Sequence, residues 1–309
     1  MTKIKKVAIT GSTGMLGSHM LALLHQLDVE IVDVNRDVWD LRNWKQEEDL
    51  RLILKSVDVF FHFAAALPIK NVENINRIFD VNVRSCTNIA NFCLDEGVSL
   101  IFISSATVYD NPHAINILEA DKKVSFGLGG FYGFSKLLGE EIVNHFVSQG
   151  LRAILLRPSS IYGTGLAKGK LVSHILDQAL AGDSIKIAQP NNQINFIHAS
   201  DVAIACIKAL RCKAWGIYNC GASENVSILE LAQTCIRISG SGNIIKPYDN
   251  NDLGYVRFDL NSEKAEKVFG YSPVINISRG IEIMSSGRYD LPSELLKELS
   301  WEKGFNQDG

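Results

Sequence analysis

Short apolar runs alternate with helix-period segments along the first half of the chain, and no other feature restricts its fold so tightly. "KKVAIT" reads as a strand, after which Leu16, Met20, Leu23, Leu24 and Leu27 recur at steps of three and four, one stripe of a helix. The rhythm repeats with "VEIVDV", the helical "NWKQEEDLRLILKS", the strand "VDVFFHFAA", a helix through "NINRIFDVNVRSCTNIANFCLDEG", and the strand "LIFISS". A helix "YGFSKLLGEEIVNHFVSQG" and the strand "RAILLRPSS" follow. The strands are apolar at consecutive positions, so both faces need cover. That predicts an α/β fold, a doubly wound parallel sheet with helices on each side.

After Arg157 the rhythm loosens into glycine-rich "IYGTGLAKGK", a helix near 171–181 and polar turns around "AQPNNQ". "INFIHASDVAIACIKAL" then reads as a strand and helix returning to the main layer. Two interleaved parts are expected: residues 1–158 plus about 195–216 around the sheet, and a smaller lobe from 159–194 plus 217–309.

Composition removes several classes. With 309 residues, 46% hydrophobic and 21% charged, the chain can bury a substantial core. A net charge of −3 and no basic run longer than "KIKK" argue against nucleic acid as a partner. The apolar run after that lysine cluster is shorter than the roughly 7–15 residues of a secretory core. "VDVFFHFAAALPI" carries Asp58 and His62 and is too short to span a bilayer. Six cysteines without Cys-x-x-Cys spacing read as reduced thiols. A cytoplasmic protein with no membrane partner and no metal site is expected.

"TGSTGMLG" places Gly11, Gly14 and Gly17 between the first strand and the first helix. A tight turn, close approach of backbone to a pyrophosphate and close helix–strand packing all exclude a Cβ there, and the helix N-terminus offers free N–H groups to phosphate. At the opening of the first βα unit, the triplet points to a dinucleotide site.

The G-x-x-G-x-x-G spacing resembles the short-chain dehydrogenase/reductase superfamily, and further segments keep that order. They are "FHFAA", "DVNV", "SSATVY", "YGFSK", "LRPSSIYG", "NFIHASDVA" and "VRFDLNSEKAEKVFGYSP". Over residues 4 to 285 the chain resembles the extended branch, the NAD(P)-dependent nucleotide-sugar epimerase/dehydratase family. The resemblance implies a Rossmann-type sheet with a C-terminal substrate lobe. It implies cofactor contacts at Gly11, Thr13, Gly14, Met15, Leu16, Gly17, Phe63, Ala64, Ala65, Asn82, Ser104, Tyr132, Lys136 and Pro158, with Asp40 and Leu41 flanking the adenine. It also implies a homodimer through helices around 83–95 and 132–149.

For the adenosine ribose, Asp33 is the obvious acidic candidate, 16 residues past Gly17. "RDVWDL" resembles members in which the discriminating position lies later, at Asn35 and Arg36. A neutral side chain beside Arg36 receives NADP, whereas Asp33 in that role would favour NAD; the reading adopted is NAD(P) with NADP preferred.

Chance supplies a Tyr-x-x-x-Lys pair about half the time in a chain of this composition. Tyr132 and Lys136 gain meaning from their place on the helix after the "LIFISS" strand. A tyrosine has a pKa of about 10, and a neighbouring ammonium and a cationic nicotinamide would both lower it. Lys136, one turn on, lies on the same helix face. Ser105, at the carboxyl edge of its strand, is placed to hydrogen-bond a reacting oxygen. By resemblance Ser105, Tyr132 and Lys136 form the catalytic triad, and Ser104 is not the catalytic serine.

The dehydratase branch has Asp-Glu after its hydroxyl residue; here Ala106 and Thr107 stand there, which disfavours dehydration. Epimerisation through a transient keto sugar and reduction of a 4-keto sugar both remain. Substrate contacts are expected at Thr107, Ser160, Lys170 and Arg257. Many UDP-sugar epimerases carry Asn at the position of Ser160 and Arg at that of Ile194. His198 is expected to order its turn, and His19 and His62 to pack structurally. An NADPH-dependent reductase of another small carbonyl compound is the alternative, favoured if the substrate lobe is unusually apolar. A non-catalytic NADP sensor is a third reading, against which the intact triad argues.

Overall fold

The computed structural model describes residues 4–43, 47–68, 74–110, 115–123, 129–245, 257–289, 291 and 299. The chain runs β1 (Lys6–Thr10), α1 (Met15–Leu24), β2 (Glu30–Val34), α2 (Glu47–Ile53), β3 (Val59–His62), α3 (Ile75–Phe79), α4 (Ser85–Asp95), β4 (Ser99–Ile103), α5 (Phe131–Val147) and β5 (Ala153–Pro158). There follow β6 (Ser160–Tyr162), α6 (Leu171–Ala181), β7 (Ser184–Lys186), β8 (Gln193–Ile194), β9 (Phe196–His198), α7 (Ala199–Arg211) and β10 (Gly216–Cys220). The last elements are β11 (Val226–Ser227), α8 (Ile228–Ser239), β12 (Asn243–Ile245), β13 (Arg257–Phe258), α9 (Glu263–Phe269) and α10 (Ile277–Ser286).

Six parallel strands form the main sheet in the order β2–β1–β3–β4–β5–β10. Side chains alternate across a strand, so each apolar run feeds two cores. Val7, Ile9, Val59, Phe61, Ile101, Ile103, Ile154 and Leu156 enter one, with the Leu16, Met20, Leu23, Leu24 and Leu27 stripe of α1 and the buried face of α7. Ala8, Phe60, Leu100, Phe102, Ala153 and Leu155 enter the other, with Cys86, Ile89, Ala90 and Cys93 of α4 and Val143 of α5. This is why the strands show no polar alternation.

The chain leaves the sheet after β5, pairs β6 with β9, and returns through α7 to β10 at the sheet edge. β10 lies wholly in the main sheet, which therefore takes in residues 217–220 that the sequence reading gave to the smaller lobe. A separate core of Tyr162, Val172, Ile175, Leu176, Ile185, Phe196, Leu231 and Ile281 holds β6, α6, β7, β9, α8 and α10 together.

Two helices differ from expectation. α2 ends at Ile53, ahead of the Leu54–Ser56 stretch expected to continue it. The single helix expected through residues 74–97 is interrupted by one π turn, Asp80–Arg84. Such wide turns are rare and mostly single insertions within α-helices. This one carries Asn82, whose amide nitrogen donates to the Ala66 carbonyl (3.0 Å) and to Ser135 Oγ (3.0 Å), while its oxygen accepts from Ala66 N (2.7 Å).

One polar contact crosses the second core. Arg157 at the end of β5 donates through Nε to Glu140 Oε1 (2.8 Å) and through Nη2 to Oε2 (2.6 Å), with side chains 1% and 0% exposed. Its Nη1 donates to Tyr109 OH (2.8 Å) and to the Glu119 carbonyl (3.0 Å), and Tyr109 OH donates to Asn219 Oδ1 (2.6 Å). Removing one partner of such a pair strands a charge in a dry interior. Arg157→Met and Glu140→Leu are each expected to lower unfolding free energy by about 3–5 kcal/mol, and the double variant by less than the sum, in denaturant titrations. Single variants as stable as wild type would deny the pair this role.

Candidate active site

The carboxyl ends of β2, β1, β3, β4 and β5 open onto one cleft of 1310 Å³. Open α/β sheets bind ligands at this edge, where the strand order reverses. Here the reversal falls between β1 and β3.

The glycine turn forms the middle of the floor. Gly11 adopts φ +74°, and a Cβ there would lie 2.6 Å from Ala64 N; at Gly17 it would lie 2.0 Å from the Gly11 carbonyl. Only bare backbone fits, so the turn passes β3 closely. Gly14 caps α1 without a side-chain bond, and the first turn holds no acidic residue, which leaves backbone N–H groups facing the cleft for an anion. Thr13, Met15, Leu16, Phe63, Ala64 and Ala65 line the same stretch. Beneath it His62 Nδ1 bonds Thr10 Oγ1 (2.8 Å), so this histidine packs structurally. The cradle fits a dinucleotide pyrophosphate.

At the β2 end, Asn35, Arg36, Asp40 and Leu41 line the cleft, and Asp33 does not. Asp33 stands inside β2, with one carboxylate oxygen buried and unbonded. Asn35 Oδ1 accepts from the N–H groups of Asp37 (2.9 Å) and Val38 (3.2 Å), fixing the turn that brings exposed Arg36 to the wall. Asp40 is held by Arg42, whose hydrogen bonds draw its carboxyl down to about 2. Asp37 and Arg42 also line this end.

At the β4 and β5 end the cleft is walled by Ser104, Ser105, Thr107, Tyr132, Lys136 and Pro158. Ser105 follows the end of β4 and caps a single 3-10 turn, Ala106–Val108, accepting from Thr107 N. The buried Lys136 Nζ donates to the Ile103 carbonyl (2.7 Å) and sits 4.9 Å over the Phe102 ring. Tyr132 is half-buried, and its backbone carbonyl accepts from Ser135 Oγ (2.7 Å). Asn82 lies behind the wall, coupled to Tyr132 through Ser135 rather than lining the cleft.

The electrostatics run against one sequence expectation. Tyr132 is not brought down by its lysine: loss of water through burial pushes its pKa up to about 12. Lys136 moves down to about 8, first because burial disfavours its charge, with Cys86 and Glu140 opposing. At rest Tyr132 is a neutral phenol and Lys136 a weakened ammonium.

On the smaller lobe Ser160 and Lys170 line the cleft, and Arg257 does not; its guanidinium lies 3.5 Å from Asp259. Its neighbour Phe258 takes the cleft side, with Ile161, Leu166, Leu171, Val172, Ile194 and Phe196. Sequence reasoning passed over this apolar wall and Gln193. Strand alternation at 257–258 was the available signal, since adjacent residues face opposite ways. His198 accepts from Ser200 N (3.3 Å) and caps α7, ordering its turn, and His19 bonds Ser200 Oγ (2.8 Å) and the Thr164 carbonyl (3.1 Å).

A family model described as "NAD dependent epimerase/dehydratase family" matches residues 7–221. The dTDP-4-dehydro-6-deoxy-D-allose reductase of a Streptomyces species is 26% identical over 300 residues, covering 87% of this chain and 92% of its own. UDP-N-acetylglucosamine 4-epimerase from Bacillus cereus shares the fold with TM-score 0.77 at 24% identity, covering 93% of this chain and 99% of its own. The UDP-glucose 4-epimerase of Thermus thermophilus, solved in complex with NAD, does so at 0.75 and 22%, covering 91% and 98%. The chain belongs to this family of NAD-dependent enzymes, and its sheet is Rossmann-type.

Because Lys136 is held near 8 against an ordinary 10.5, the folded state releases this proton before the unfolded chain does. Stability attributable to the residue therefore rises as pH climbs from about 8 to about 10.5. Relative to Lys136→Met, wild type is expected to gain stability across that window in denaturant titrations at successive pH values. A difference that stays flat or falls would contradict the burial of a charged lysine.

Proposed function

We propose that this member of the NAD dependent epimerase/dehydratase family transfers hydride at a sugar carbon of a nucleotide sugar, either as a 4-epimerase or as a reductase of a 4-keto sugar. The observation that carries the reading is the meeting of Ser105, Tyr132 and Lys136 on one wall of a cleft whose floor is the glycine cradle. In this reading Ser105 and Tyr132 hold the reacting oxygen, Tyr132 gives or takes its proton, and Lys136 steadies the cofactor ribose. Bound NAD(P) supplies the hydride donor or acceptor. With its pKa near 12 the tyrosine rests as a proton donor, which suits reduction; acting as a base requires a positive charge close by. Ala106 and Thr107 beside the serine offer no carboxylate for elimination of water.

NADP is the preferred cofactor in this proposal, supported by Arg36 on the cleft wall beside neutral Asn35 and by the withdrawal of Asp33. The sheet part is assigned the dinucleotide and the smaller lobe the substrate, with Lys170 and Ser160 as its polar contacts. Six free cysteines, five of them buried, support a reducing, cytoplasmic setting. A homodimer through α4 and α5 completes the proposal; Val147 at the end of α5 is 39% exposed.

The apolar wall from Ile161 to Phe258 favours a second reading, reduction of a small carbonyl compound without a diphosphate. Thermal denaturation separates the two. NADPH is expected to raise the melting temperature, and UDP- or dTDP-sugars to raise it further, since a ligand at 100 times its Kd adds about 2.7 kcal/mol. A response to NADPH without any response to the nucleotide sugars would favour the second reading, and no response to NADPH or to NADH would refute both. Tyr132→Phe is expected to lose at least about 100-fold in turnover while binding NADPH as wild type does; an active variant would remove the tyrosine from the chemistry.

A further inference from the structure

We infer that Thr107 is a positioning residue, not a substrate contact, and that it fixes Ser105 as a hydrogen-bond donor aimed into the cleft. The inference rests on the hydride-transfer reading above and deepens it, because it specifies which form of the reacting oxygen the site is built to hold. A serine hydroxyl has one proton to give and two lone pairs to receive. Ser105 Oγ accepts from Thr107 N (3.1 Å) and from Thr107 Oγ1 (2.9 Å). One residue, two positions along the chain, thus occupies both lone pairs. The serine proton is left to point elsewhere, and Ser105 is partly exposed on the cleft wall. A hydroxyl that accepts two hydrogen bonds is also polarised into a better donor.

Thr107 is itself held by the helix that carries the tyrosine. A Cβ at Gly133 would fall 2.5 Å from the Thr107 carbonyl oxygen, and one at Gly129 would fall 3.1 Å from Thr107 Cβ. These glycines lie on either side of Tyr132, so the start of α5 packs directly on Thr107 and sets the separation of Ser105 from Tyr132. The N–H of Gly133 and that of Tyr132 both bond the Gly129 carbonyl, which closes the first turn around this contact. Thr107 is therefore wedged between the two groups that meet the substrate.

Two donors, Ser105 and the neutral phenol of Tyr132, match the two lone pairs of a carbonyl oxygen. The ligand class this favours at rest is a nucleotide-linked keto sugar, with the alcohol as the form that leaves.

The test uses dTDP-4-keto-6-deoxyglucose and NADPH with wild type, Thr107→Val and Thr107→Ser, reading kcat, KM and melting temperature. Valine keeps the shape and deletes the hydroxyl; serine restores it. Loss of one orienting hydrogen bond is worth about 1 kcal/mol, so kcat of Thr107→Val is expected to fall about fivefold. KM and melting temperature should hold near wild type, and Thr107→Ser should recover most of the loss. A rise in KM alone would return Thr107 to the substrate contacts. Unchanged kcat in Thr107→Val, or no recovery in Thr107→Ser, would overturn the positioning role. Nucleotide sugars that bind wild type without turnover of this keto sugar would overturn the ligand class and this inference while leaving the broader function; no binding of nucleotide sugars would overturn that function itself.

Discussion

The buried pairing of Arg157 with Glu140 is the contact on which the rest of the site depends. Glu140 lies one helical turn beyond Lys136 on α5, and Arg157 immediately precedes Pro158 at the carboxyl end of β5. Their two hydrogen bonds tie the helix that carries Tyr132 and Lys136 to the sheet edge where the cleft opens. Desolvating both charges offsets much of their attraction, so the pair adds little net stability over an apolar substitute and contributes mainly by fixing one arrangement. The guanidinium also reaches Tyr109, and through it Asn219 on β10, so α5, the segment after β4 and the far edge of the sheet share one buried network. Asn82 completes the bracing from the opposite end of α5, linking Ala66 after β3 to Ser135.

Within that frame the cleft has a graded chemistry. Its centre is bare backbone, its β2 end carries Arg36 and a clamped Asp40, and its β4 end carries hydroxyls and a buried amine. Removing water from Tyr132 and Lys136 penalises the charged form of each, which is why the first moves up and the second down. A phenol that keeps its proton at rest can donate to an incoming carbonyl. The reverse direction needs a nearby cation to stabilise phenolate, and an oxidised nicotinamide is such a cation. In the proposed function, the direction of proton transfer would thereby follow the redox state of the cofactor.

Much of this could be read from the chain because its rules are local. Consecutive apolar residues in "VFFH" and "LIFI" require two covered faces, and the structure divides them between two cores residue by residue. Gly11 and Gly17 are legible because a Cβ at either would collide with backbone. What stayed hidden depends on which way a side chain turns. Asp33 and Arg257 have suitable chemistry, yet β2 and β13 aim them away from the cleft, and a one-residue change of face exchanges Arg257 for Phe258. The rise of the Tyr132 pKa follows from burial, which spacing to Lys136 does not report.

The central claim is that Tyr132 rests as a half-buried, desolvated phenol and, in the proposed function, becomes a usable base only beside a cationic cofactor. Ultraviolet phenolate titration of wild type against Tyr132→Phe, with and without oxidised NADP, measures this directly. The account predicts a difference signal titrating near 12 in the free protein, moving down by about two pH units when the cofactor binds. A tyrosine titrating near 10 in the free protein, or one unmoved by bound cofactor, would contradict it.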